Sequence, residues 1–176
     1  MNSQPQSFLL DKGIVRRIYE YQVRLEKNLP PTPFQTEAAK ILTRLTSHKF
    51  PIYITRESAN VLQLRPIRFV RPILTETSVL YKARYLRRWA RRLRAFAFTR
   101  EDAVIISYGS FGASQAEKKV GVQYLVTGDF AMVTNFAACQ ADIQARFTPM
   151  VTQLPTPYRH VSLPQLLTPA DLLAHW

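Results

Sequence analysis

The sequence predicts an α/β domain with a mainly parallel central sheet, and three observations carry that expectation. Short apolar runs alternate along the chain with longer stretches of helical character. Two of the helical stretches open on a capping-box pattern that marks where they begin. At 176 residues and 47% hydrophobic, the chain has enough material for one packed core and too little for two ordinary domains.

In order, Phe8-Leu9-Leu10 reads as a first strand that ends at Asp11. A helix over about 13–27 should follow, with Ile14, Ile18, Tyr21 and Leu25 on one side. Thr32-Pro33-Phe34-Gln35 has the capping-box form with proline at the first helical position, so a second helix should run through Ile41, Leu42 and Leu45. Ile52-Tyr53-Ile54 reads as a buried strand and Glu57 to Leu64 as a short helix. Thr99-Arg100-Glu101-Asp102 is the second capping box, opening a helix that carries Ala103, Ile106 and Phe111. Val122 to Val126 reads as a strand ending in Thr127-Gly128-Asp129, and about 130–146 as helical. His160-Val161 is expected to be a last strand, with a terminal helix starting at Ser162-Leu163-Pro164-Gln165.

Charge narrows the partner. Twenty-four Lys or Arg stand against 12 Asp or Glu, a formal net charge of +12. Ten of the basic residues (Arg65, Arg68, Arg71, Lys82, Arg84, Arg87, Arg88, Arg91, Arg92 and Arg94) lie between 65 and 94 with one acid, Glu76, so that tract carries +9 of the +12. Val79, Ala83, Leu86, Ala90, Leu93 and Ala97 recur there at alternating spacings of four and three, which predicts a helix. Arg84, Arg87, Arg88 and Arg91 fall mainly on another face, with Tyr81, Tyr85 and Trp89 along a flank that suits base stacking or a core. Pro66 and Pro72 bracket RPIRFVRP, expected to be extended or a basic β-edge. Like charges without acidic partners repel one another, so a polyphosphate partner is expected over a merely solvated face, a membrane surface or an acidic protein. No apolar run approaches the ~20 residues needed to span a bilayer. The start, MNSQPQSFLL, lacks a signal-peptide pattern, and the single Cys139 suits a reducing compartment. A soluble, cytoplasmic protein is the expectation.

Three of only five aspartates occupy related places. Asp11 and Asp129 end strands, and Asp102 sits in the first turn of a helix. At the carboxyl ends of a parallel sheet, Asp11 and Asp129 should project into one crevice. Carboxylates gathered together call for a cation, and Mg²⁺-type ions take oxygen ligands while keeping waters. The simpler role for each is helix capping: Asp102 as the N3 member of its box, Asp11 and Asp129 as N-caps. His48, His160 and His175 lack metal-ligand spacing and are expected to be ordinary residues at or near the surface. Cys139 is expected to be a small buried hydrophobe. Tyr108-Gly109-Ser110-Phe111-Gly112 lacks the Gly-Lys-Ser/Thr of a P-loop.

The order and wording of these segments resemble the PIN-domain family. FLLD looks like its first strand and first acid, IYITRESANVL is similar to its second strand and following helix, FTREDAVIISYGS resembles the helix with the third acid, and YLVTGDFAM is similar to the strand-Thr-x-Asp segment with the fourth. HVSLPQLL looks like the C-terminal strand and helix, and the resemblance spans roughly 7–170. It implies a three-layer α/β/α sandwich and a Mg²⁺- or Mn²⁺-dependent endoribonuclease that hydrolyses phosphodiester bonds of single-stranded RNA. Asp11, Asp102 and Asp129 would be the catalytic metal ligands. The chain departs from the family pattern where a second acid belongs: Asn60-Val61 stands there, with Glu57 a turn earlier as a substitute ligand or a helix-end stabiliser. Asp11 is followed by Lys12-Gly13 instead of Thr-Asn, which places a lysine where it would contact phosphate or compete with a metal. Nucleic-acid contacts are expected at Lys12, Arg65, Arg68, Arg71, Arg84, Arg87, Arg88, Arg91 and Arg92. Expected partners are single-stranded RNA or another nucleic acid, no membrane, and, left open, an antitoxin-like protein or a second copy in a homodimer. The alternatives to a nuclease are a catalytically weak or inactive PIN-like binding module and a toxin-like subunit held by a partner protein.

Overall fold

A computed structural model of the chain describes residues 6–63, 78–115 and 117–176. Five short strands form its parallel core: β1 (Phe8–Leu10), β2 (Ile52–Thr55), β3 (Ser78–Lys82), β6 (Tyr124–Val126) and β7 (Gln165–Leu167). With β4 (Gly112–Ser114) and β5 (Lys119–Val120) added antiparallel at one edge, the sheet order is β5-β4-β3-β2-β1-β6-β7. The helices are α1 (Lys12–Glu26), α2 (Pro33–Ser47), α3 (Arg56–Gln63), α4 (Leu86–Leu93), α5 (Arg100–Phe111), α6 (Phe130–Ala138), α7 (Gln140–Thr152) and α8 (Pro169–His175), with 3₁₀ turns at Arg94–Phe96 and Tyr158–His160. The mixed α/β class with a mostly parallel sheet is as expected.

The central strands β1 and β6 are apolar and buried at every position because both faces of the sheet are covered there. Phe8, Leu10, Ile52, Ile54, Tyr124, Val126 and Leu167 share one cluster with residues of α1, α2 and α8. Leu9, Tyr53, Leu80, Leu125 and Leu166 share the other with α4, α5, α6 and α7. The capping boxes at Thr32 and Thr99 form as read, with both reciprocal hydrogen bonds present.

Several elements differ from the sequence reading. The buried face of α1 is Ile14, Val15, Ile18, Tyr19 and Gln22, whereas Tyr21 is half-buried and Leu25, in the last turn, is 49% exposed. The periodic run in the basic tract is two elements: Val79 lies in β3, paired parallel with Ile54 of β2, and the helix begins at Leu86. Ala97 ends that segment in the left-handed region, φ 61°. Trp89 is fully buried, so it belongs to the core and lines no stacking flank. The stretch after Asp129 is two helices that meet at Cys139 and run on to Thr152. The C-terminal strand lies at Gln165–Leu167 rather than at His160-Val161, and α8 starts from a third capping box at Thr168 rather than at Ser162. Both sites carry a capping sequence; pairing of Leu166 and Leu167 with Leu125 and Val126 decides between them. The β4–β5 pair, three and two residues long, carries no alternating pattern that would mark it in the sequence. Gly109 is a packing residue, since a Cβ there would stand 2.5 Å from the Pro164 ring. RPIRFVRP, with Arg65, Arg68 and Arg71, lies outside the described residues.

Candidate functional site

The chain runs from β1 outward through β2 and β3, then returns to lay β6 on the other side of β1 and β7 beyond it. The β1/β6 boundary is therefore a topological switch point, the place in a parallel sheet where the connections diverge and leave a crevice. Leu10 faces Val126 across it, and the Asp11 backbone N–H donates to the Val126 carbonyl at 3.0 Å. Asp11 then caps α1, its Oδ1 accepting from the Lys12 backbone N–H at 2.6 Å. Its Oδ2 accepts from the Thr127 hydroxyl at 3.0 Å. The same Thr127 oxygen accepts from the Asp129 backbone N–H at 3.1 Å, and Asp129 caps α6 by accepting from the Met132 N–H at 2.9 Å. Thr127, fully buried, thus ties the first acid to the last. Asp102 accepts from the Thr99 N–H at 3.2 Å as the N3 member of its box.

Burial pushes the Asp11 carboxyl above the usual aspartate range, and the negative charges of Asp129 and Asp102 add to the rise against the hydrogen bonds from Thr127 and Lys12. Asp129 and Asp102, both remote from it in sequence, therefore contribute to the electrostatic surroundings of Asp11. All three capping roles are present, and each cap uses one carboxylate oxygen. Among the described residues, neither Asp129 Oδ2 nor Asp102 Oδ1 has a hydrogen-bond donor. Among those residues, too, no three His, Cys, Asp or Glu side chains form a ready metal cage. The hard, all-oxygen donors at Asp11 and Asp129 fit an ion held by one or two carboxylates and several waters.

Glu57 is placed apart from this group. In the first turn of α3 it accepts from the Tyr108 hydroxyl at 3.1 Å and pairs with Lys82 Nζ at 3.4 Å. Burial alone would raise its carboxyl, but backbone, Tyr108 and Lys82 hydrogen bonds together with the Lys82 charge hold it below the usual range. It is not among the charges acting on Asp11. Asn60 is exposed further along α3, and Lys12 is exposed beside Asp11. Arg84, Arg87, Arg88 and Arg91 are exposed and Arg92 is half-buried. Their helix packs its Leu86, Trp89, Ala90 and Leu93 face inward and lies against α5, whose first turn holds Asp102. His48, His160 and His175 are all exposed, and Cys139 is half-buried at the junction of α6 and α7.

Arg17 escaped the sequence reading. From α1 its guanidinium lies over the Phe34 ring, 5.0 Å from the centroid, and against Gly128, where a Cβ would come within 2.8 Å of Nη1. Nothing in its spacing marks it, since only the fold brings α1 beside the residue preceding Asp129. Family models, characterised proteins and solved structures yield no match to this chain.

Proposed function

We propose that the chain is a PIN-like, divalent-metal-dependent endoribonuclease acting on single-stranded RNA. The observation that carries the reading is the link of Asp11 to Asp129 through the Thr127 hydroxyl at the β1/β6 switch point, with Asp102 contributing a further negative charge to the surroundings of Asp11. The apolar clusters on opposite faces of the sheet support a three-layer α/β/α arrangement of the PIN type. Asp11 and Asp129 would hold Mg²⁺ or Mn²⁺, with Asp102 as the third expected ligand. The bound ion supplies Lewis acidity to a phosphate and a water of lowered pKa. Thr127 orients Asp11 through its hydroxyl and fixes the backbone of Asp129. The arginines of α4 offset the acids' repulsion of a polyanion.

A second reading, a PIN-like binding module without catalysis, is favoured by one specific arrangement. Glu57 is engaged by Tyr108 and Lys82, and Asn60 stands in place of an acid, so the fourth ligand is missing. The toxin-like reading, with an acidic partner protein on the basic face, and a cytoplasmic location remain part of the proposal; no helix among the described residues is long and apolar enough to cross a membrane. Incubation of purified protein with single-stranded RNA in Mn²⁺ and in EDTA tests the nuclease. Cleavage only in Mn²⁺ supports it, and tight binding with no cleavage leaves the binding module.

A further inference from the structure

We infer that Phe34 and Phe130, with Arg17 between them, form a base-stacking platform for single-stranded nucleic acid beside the aspartates. The inference rests on the nucleic-acid reading above and adds where the bases lie. Phe34 is 60% exposed and Phe130 62%, the highest values among the exposed large hydrophobic side chains of the described residues. Each stands in the first turn of a helix, Phe34 in α2 and Phe130 in α6, so neither ring is needed to cover the helix's apolar face. They are joined through one side chain. Arg17 lies over the Phe34 ring and against Gly128, and Gly128 leads directly into Asp129 and Phe130. The first ring and the guanidinium are thus in contact, and the carboxylate and second ring belong to the two residues that follow Gly128 in the chain.

That sequence of groups fits a nucleotide chain better than a protein surface. An exposed ring accepts a base of any identity on its face, and a guanidinium beside it takes the connecting phosphate. A protein partner would gain from the apolar rings but would have to leave Asp129 and Arg17 facing its own charges. The flank of the basic tract offers less: Trp89 is fully buried, Tyr85 packs edge-on to Tyr158 at 4.9 Å, and Tyr81, with Arg56 5.9 Å from its ring centroid, is 39% exposed against 60% and 62% for the two phenylalanines. The arginines of α4 would then follow phosphates while the bases are held at the aspartates. An unpaired strand presents free base faces and a duplex does not, so the platform selects single strands.

The test is metal-free binding, in EDTA so that nothing is cut. A fluorescein-labelled oligouridylate is compared with an abasic strand carrying the same phosphates. Wild type should prefer the oligouridylate, and Phe34→Ala or Phe130→Ala should each weaken it roughly tenfold without changing abasic binding. Phe130→Tyr should restore affinity, and Arg17→Ala should lower the log–log salt slope by about 0.7. Both rings are exposed, so unchanged melting temperatures are expected for the alanine variants. Equal wild-type affinity for the two strands, or alanine variants that bind like wild type, would overturn the platform while leaving the nucleic-acid reading standing. Wild type that binds neither strand would remove that reading itself, and the platform with it.

Discussion

Replacing Arg87, Arg88 and Arg91 with alanine should weaken binding of single-stranded RNA and at the same time stabilise the free protein. All three are exposed on α4, a helix with no acid in its first turn and with Leu86, Trp89, Ala90 and Leu93 as its buried face. Arg87/Arg91, Arg88/Arg91 and Arg88/Arg92 are like-charge pairs three or four residues apart. At ~0.2–0.5 kcal/mol each, removing them relieves about 1 kcal/mol of repulsion. For a domain of this size that is roughly 2–4 °C in melting temperature. If each arginine contacts one phosphate, the log–log salt slope on a single strand falls by about 0.7 per residue, or about 2 in all. Wild type would then lose roughly 16-fold more affinity than the variant between about 50 and 200 mM salt. Fluorescence anisotropy across a salt series and a thermal melt read both effects. A stabilised variant with unchanged affinity and slope would show that the arginines form only a solvated face, and would refute the phosphate-binding role.

Four further outcomes follow from the site. Asp129→Asn should abolish Mn²⁺-dependent cleavage with little change in melting temperature, because asparagine still caps α6 while one ligand charge is lost; retained cleavage would remove Asp129 from the chemistry. Asn60→Glu should raise the cleavage rate, more in Mg²⁺ than in Mn²⁺, if a missing acid limits metal occupancy; an unchanged rate in both metals would show that it does not. Asp11 and Glu57 should give stability–pH trends of opposite sign in the metal-free protein. Asp11, raised first by burial, contributes stability below the ordinary aspartate range that is lost as pH climbs through its raised value; Glu57, held low, contributes stability that is lost as pH falls through its depressed value. Melts of Asp11→Asn and Glu57→Gln against pH should each flatten one limb, and curves that overlay wild type would contradict the assignment. Trp89→Phe should leave RNA affinity unchanged, because the ring is fully buried against Phe147 at 4.9 Å; a marked loss would return it to the binding surface.

The sequence by itself determined the elements whose signals are local. A capping box is closed within four residues, so Thr32 and Thr99 start their helices as read. The apolar runs Phe8-Leu9-Leu10 and Ile52-Tyr53-Ile54 were legible as strands, and the acids that end β1 and follow β6 were legible with them. Where two local signals competed, tertiary pairing chose: Ser162 and Thr168 both offer caps, and β6 takes Gln165–Leu167 as its neighbour. Val79 kept helical spacing with Leu86 yet went to β3, because β2 presents an open edge that rewards an extended partner. Only the fold could decide which charges act on one another. Asp11 and Asp129 meet through Thr127 because β1 and β6 are adjacent, Glu57 is drawn instead to Tyr108 and Lys82, and Arg17 reaches Gly128 from another helix. Capping and periodicity act between neighbours in the chain, whereas electrostatic and stacking partners are set by distances that exist only once the sheet order is made.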